Sequence, residues 1–187
     1  MPFRRIGLIL ALWAMAVGPA AAAQFQKIDL PNGAGDGILI SGMITAGDDA
    51  RFHALAATLP HAIVVTTGPG GLVGPALAIG SETRARGWST LVPAGTQCAS
   101  ACSMIWLAGS ERMLGENAQI GFHAMSMAHN GQYQETHDVD NVLRQWLTDL
   151  GYAMDATATI VNTHSASIRW FDAIELRANG IETESFP

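Results

Sequence analysis

Residues 96 to 123 decide the fold. Thr96-Gln97-Cys98-Ala99-Ser100-Ala101-Cys102-Ser103 runs into Met104-Ile105-Trp106-Leu107-Ala108-Gly109, and Gln119-Ile120-Gly121-Phe122-His123 closes the stretch. The uncharged run from Cys98 to Leu107 predicts a buried helix. Ser100 stands at its entry, where a serine commonly serves as a cap. Small residues crowd it on both sides, which leaves room for another backbone to approach. Gln119 to Phe122 reads as a short strand that delivers His123, 23 residues after Ser100.

The flanking segments keep the same alternation. Gln24 to Gly37 reads as a lead-in arm or edge strand, and Ile38 to Ile40 as a short strand ended by Ser41-Gly42. Asp48 to Leu59 has helical spacing at Phe52, Leu55, Ala56 and Leu59. Ala62 to Val65 is a buried-type strand. Gly74 to Arg86 is a helix with Pro75 in its first turn, where a missing N–H costs little, and Trp88 to Val92 is another strand. Thr136 to Leu150 carries an apolar stripe at Val139, Val142, Leu143, Trp146, Leu147 and Leu150. Helices over Ala153 to Val161 and Asp172 to Asn179 complete the pattern. Strands alternating with helices specify an α/β domain.

Composition narrows the function classes. The chain has 187 residues, 49% hydrophobic and 14% charged, enough for one packed domain and far from a disordered composition. A net charge of −6 argues against a general nucleic-acid binder. Two cysteines cannot complete a four-cysteine zinc site. His129, His137 and Asp138 lie in a polar connection without a second close pair of ligands, so a solvated loop is expected there and no metal. No cofactor is indicated.

The first 23 residues have the order of a secretory signal peptide: Arg4 and Arg5, the apolar run Ile6 to Val17, Gly18-Pro19, then Ala20 to Ala23. Cleavage after Ala23 leaves a domain of residues 24 to 187 with net charge −8. The alternative is an uncleaved anchor, disfavoured by the shortness of the apolar run. The expected location is periplasmic or secreted, where cysteines oxidise.

Gly68-Pro69-Gly70-Gly71 lies between a strand and a helix. It is either a plain tight turn or an anion-binding turn whose backbone N–H groups a glycine leaves accessible. The spacing matches neither the P-loop nor the dinucleotide fingerprint.

The ordered set Ile40-Ser41-Gly42, Val64 to Gly71 (VVTTGPGG), Cys98-Ala99-Ser100 with Met104 to Gly109 (MIWLAG), and Ile120 to His123 (IGFH) resembles the Clp protease proteolytic subunit family and its exported bacterial relatives. Ile174 to Ile181 (IELRANGI) is similar to the family's closing helix and glycine. The resemblance implies a single-domain spiral of repeated β-β-α units, shared with crotonases. It implies Ser100 as nucleophile and His123 as general base, with an oxyanion hole built from backbone N–H groups of Gly70, Gly71 and Ala101. The family has Ser where this turn has Gly68.

The position of the orienting acid stays open. Aligning on Glu175 to Gly180 puts Ile168 there, with Ser167 beside it. Counting on from His123 favours Asp172, which also reads as a helix cap. Cys98 and Cys102 flank Ser100. They read as two buried small residues, or as a disulfide stapling the serine turn if the backbone bends at Ser100, since a regular helix aims their Cβ atoms poorly. A cysteine nucleophile is disfavoured by position.

Three functions compete. One is an exported serine hydrolase, most simply a peptidase acting on peptide or protein substrates. Another is a catalytically inactive relative that binds peptides or partners in the same groove. A third is a crotonase-type thioester site, disfavoured by export. The resemblance implies self-association into a homo-oligomer. An ATPase partner is not expected outside the cytoplasm.

Overall fold

Continuous apolar runs such as Ile38-Leu39-Ile40 and Ile63-Val64-Val65 suit strands buried on both faces, and they form the parallel centre of the sheet. A computed structural model describes residues 22–129, 132–136, 140–164 and 167–186. Residues 1–21 of the expected leader lie outside this set, as do His137, Asp138 and Val139.

Strand β1 (Gln24–Asp29) pairs antiparallel with β2 (Asp36–Ile44), which lies parallel to β3 (Ile63–Gly71) along nearly its whole length. Helix α1 (Asp48–Ala56) connects β2 to β3, and α2 (Val73–Ala85) follows β3. Strand β3 is the hinge of the architecture. Its first half pairs with β4 (Thr90–Val92) through Val64↔Thr90 and Val65↔Leu91. Its second half pairs with β5 (Gln97–Ala99) through Gly68↔Cys98. Consecutive strands β4 and β5 thus peel off the same strand in two directions, and the sheet curls.

Helix α3 (Ala101–Leu107) follows β5 at once. The same step repeats: β6 (Arg112–Leu114) continues the first direction beside β4, and β7 (Gln119–Phe122) the second beside β5. Two strands followed by a helix is the β-β-α unit expected from the sequence. Strands β8 (Ser126–His129) and β9 (Gln132–Glu135) form a separate antiparallel pair. Helices α4 (Asp140–Asp149) and α5 (Met154–Val161) lead to β10 (Arg169–Phe171), antiparallel to β7. Helix α6 (Ala173–Ala178) and β11 (Glu184–Ser185), parallel to β6, end the described chain.

The core packs Phe52, Trp88, Trp106, Phe122 and Phe171 with Ile38, Ile105 and Ile120, all fully buried. Trp106 donates its Nε1–H to the Met113 carbonyl, so its polar atom is satisfied inside the core. Tyr152 does the same for the far end of α3, donating its hydroxyl to the Leu107 carbonyl at 2.8 Å. Burial pushes that phenol up to about 12, against the opposing pull of Arg112 and Arg84.

Several expectations change. Cys98 and Ala99 are strand, and the helix begins after Ser100. Val142 is exposed, while Leu143, Leu147 and Leu150 carry the buried stripe. The connection around His129 to Gln132, expected as a loop, is bounded by two paired strands. Ala23, placed at the end of the leader, is buried. Its N–H donates to the Met43 carbonyl at 2.7 Å, and its carbonyl accepts from Arg51 Nη1 at 2.9 Å.

Candidate active site

The site is assembled where the second halves of the strands end. Ser100 sits between β5 and α3 with φ 57° and ψ −125°. A non-glycine residue in that region costs about 1–3 kcal/mol and persists only where its surroundings enforce it. Three contacts enforce it here. The Ser100 N–H donates to the Gly121 carbonyl on β7 at 2.9 Å. The buried Ser103 hydroxyl lies 2.8 Å from that same carbonyl and 2.9 Å from the Cys98 carbonyl, sharing one hydrogen between two acceptors. A Cys98–Cys102 disulfide closes over the turn, with Cα atoms 5.3 Å apart.

A bridge at this spacing needs the backbone to bend at Ser100, and the backbone does bend there. Ser100 heads α3 without using its hydroxyl as a cap, so the side chain is left to the cavity beside it.

That cavity has a volume of about 670 Å³. Ser100, Ala101, Gly71 and His123 line it, and Met104, Leu143 and Ile160 supply apolar wall. Leu72 N–H donates to the Ile44 carbonyl at 2.9 Å. Successive amides of an extended chain face opposite ways, so the Gly71 N–H turns off β2 toward the cavity. Ala101 is the first residue of α3, and its N–H has no intrahelical acceptor. Two amide donors from separate elements therefore flank the serine, beside apolar side chains of the cavity wall.

Gly70 has a different place from the one expected. It does not line the cavity. A Cβ built on it would lie 2.7 Å from both the Ala99 oxygen and the Ser100 Cβ, so Gly70 backs the serine turn. Gly68 is likewise held against Gly42, where a Cβ would meet the Gly42 oxygen at 2.6 Å. Gly68 is therefore a packing position.

His123 follows β7 directly and lines the same cavity as Ser100. Its Nδ1 lies 2.6 Å from the Ala124 carbonyl oxygen. A carbonyl can only accept, so Nδ1 carries the proton and Nε2 of the neutral ring is the free acceptor. The Ala124 N–H in turn donates to the Thr163 carbonyl, which ties the same residue to the segment after α5. Among the described residues no hydrogen bond joins Ser100 to His123. Catalytic hydrogen bonds are often long before substrate binds.

Asp172 is not part of this assembly. The β7–β10 register pairs Arg169 with Phe122 and Phe171 with Ile120, which runs Asp172 away from His123 and brings Ile168 toward it. Asp172 instead caps α6, accepting from the N–H groups of Ile174 and Glu175 at 2.8 and 2.9 Å, while Glu175 reaches back to the Asp172 N–H. It is the helix cap that the sequence held open as its other role.

Among the described residues no cluster of three or more His, Cys, Asp or Glu side chains can hold a metal. His129 is in β8, and His137 and Asp138 lie outside the described residues. No described helix is long and apolar enough to cross a membrane. Sequence reasoning missed Ser103, Thr66, Met104 and Leu143. Ser103 carries a faint signal, a hydroxyl one helical turn after Ser100.

No family model matches the chain, and no curated protein does. Solved structures do. The 1510-N membrane-bound stomatin-specific protease, as a serine-to-alanine variant, superposes with a TM-score of 0.59 at 17% identity, covering 79% of this chain and 76% of that one. A lysine-to-alanine variant of that protease in complex with a substrate peptide gives 0.57 at 17% identity, covering 79% and 72%. The chain has a ClpP-like fold, a mixed α/β domain with a curled sheet.

Proposed function

We propose that the protein is an exported serine hydrolase of the peptidase type, with Ser100 as nucleophile and His123 as general base. The observation that carries this reading is the Ser100 turn. It is a strained serine, held by three separate contacts, with its hydroxyl free and two amide donors beside it.

Catalysis follows from the parts. His123 Nε2 accepts the Ser100 proton as Oγ attacks the scissile carbonyl. The N–H groups of Gly71 and Ala101 stabilise the oxyanion, each worth about 3–4 kcal/mol of barrier. Nε2 returns the proton to the leaving amine, and water then releases the acyl group by the same route. The Ala124 carbonyl holds the ring in the needed tautomer, but it cannot neutralise an imidazolium as a carboxylate does. The apolar lining from Met104, Leu143 and Ile160 favours peptides with a large apolar side chain beside the scissile bond.

The lysine base of some serine hydrolases has no counterpart at this cavity. The chain's single lysine, Lys27, is in β1, ion-paired with Asp36 at 3.0 Å. A catalytically inactive peptide-binding protein is the second reading, favoured by the carbonyl that stands where an acid would orient His123.

A fluorophosphonate probe tests the proposal. Labelling of the wild-type chain, absent in Ser100→Ala and strongly slowed in His123→Ala, is the expected result. A well-folded wild-type chain that takes no probe leaves the second reading.

Export is part of the proposal. The leader-like first residues and the disulfide support an oxidising compartment. Because Arg51 holds the Ala23 carbonyl, we expect processing to leave Ala23 on the domain. Intact mass of the exported protein checks this, and a mature chain starting at Gln24 would contradict it.

A further inference from the structure

We propose that the Cys98–Cys102 disulfide is a positioning device for the reaction, and that turnover depends on it. The inference rests on the serine hydrolase reading above.

The bridge encloses five residues with Ser100 at the centre. Cys98 belongs to β5, where it pairs with Gly68 on one side and Ile120 on the other. Cys102 is the second residue of α3. The bond therefore ties the sheet to the helix across a residue whose backbone is strained.

One anchor for such a junction is a side chain that accepts from the first free N–H groups of the helix. Ser100 makes no such bond. A capping hydroxyl would point back at the α3 amides and be lost as a nucleophile. The disulfide supplies the junction that the hydroxyl gives up.

The bridge also touches the strand that carries the oxyanion donor. Thr66 is fully buried on β3, and its Oγ1 lies 3.0 Å from Cys102 Sγ and 3.9 Å from Cys98 Sγ. A disulfide sulfur has no hydrogen, so Thr66 donates. Five residues further along, the same strand presents Gly71. Serine and oxyanion donor are thereby referenced to a common pair of sulfurs. Both cysteines are buried, so the bridge is a staple within the core. Leu143 and Ile160, elsewhere in the cavity wall, belong to other elements. Loss of the bridge should therefore alter kcat and leave KM nearly unchanged.

The test compares wild type with Cys98→Ala/Cys102→Ala, both shown folded by circular dichroism. Turnover of a chromogenic peptide ester and the rate of Ser100 labelling by a fluorophosphonate are measured on each. The expected result is a fall of about 100-fold in kcat and in labelling rate, the scale of a small misplacement of a reacting group, with KM within about threefold. Wild-type rates in the double variant overturn the inference while leaving the hydrolase reading intact. A wild-type chain that takes no probe overturns that reading, and this one with it.

Should the double variant not fold, the wild-type chain is titrated with dithiothreitol. The dithiol is oxidised to its cyclic disulfide as the S–S bond breaks and two thiols form. Free thiols, Ser100 label and circular dichroism are read on the same samples. Labelling that falls with bridge opening while the fold persists supports the inference. Labelling that survives in the opened, folded chain overturns it.

Discussion

Gly70 lies directly behind Ser100: a methyl group on its α-carbon would stand 2.7 Å from the Ser100 Cβ and 2.9 Å from the Ala101 nitrogen. Gly70 also has φ 98°, a conformation that side chains resist. Gly70→Ala therefore meets backbone strain and backbone atoms that cannot yield. We expect a loss on the order of 3 kcal/mol in denaturant unfolding, with Ser100 labelling abolished in whatever protein folds. An alanine variant with wild-type stability would show that the turn can retreat.

Asp172 separates two accounts of the same residue. As a cap it contributes about 1 kcal/mol. As a triad acid it would contribute about four orders of magnitude in rate. We expect Asp172→Ala to lower stability by about the first amount and to leave kcat within about twofold of wild type. A steady-state assay beside a thermal melt distinguishes them.

Ser103 joins β5, β7 and α3 through one hydroxyl. Its removal leaves two buried carbonyls with one donor fewer. Ser103→Ala should cost about 1–2 kcal/mol and slow Ser100 labelling, because the Gly121 carbonyl also receives the Ser100 N–H. Ser103→Thr, which keeps the hydroxyl, should recover part of the labelling rate. Equal rates in all three proteins would make Ser103 a packing residue.

Tyr152 gives the fold a dependence on alkaline pH. Its phenol is raised from 10.0 to about 12 in the folded chain. Between those values the unfolded chain loses this proton and the folded chain keeps it, so stability falls as pH rises. The slope is about 1.4 kcal/mol per pH unit for one proton. Tyr152→Phe should be less stable by about 1 kcal/mol at neutral pH, having lost its bond to Leu107. The two stability curves should meet at about pH 11 and cross above it, because roughly one pH unit of that slope offsets the lost hydrogen bond. Parallel stability curves across that range would contradict the assignment.

How far the sequence reached depended on whether a feature was local. The alternation of strands and helices was legible, because apolar runs and glycine stops are local signals. Ser100 and His123 were legible as candidates through the order of short motifs around them. Strand β5 was not, since Cys98 and Ala99 continue an apolar run that periodicity cannot divide into strand and helix. Asp172 was ambiguous because an aspartate before a helix reads the same whether it caps or catalyses. The register of β10 against β7 settles its place. Gly70 and Gly71 were inseparable in sequence, because which amide faces the cavity depends on the pairing with Ile44. Ser103 and Thr66 act through partners distant in the chain, and no local pattern marks such hydroxyls.

The cavity's lining draws on two separate hydrogen-bonded systems. Ser100, Ala101 and Gly71 stand on the main sheet and its helices, whereas Ser126 opens the independent two-stranded ribbon of β8 and β9. Replacement within that ribbon can reshape this part of the lining without disturbing a ladder bond of the main sheet. Selectivity and chemistry are thus separable in this architecture, and ribbon grafting is the route by which one could be changed while the other is kept.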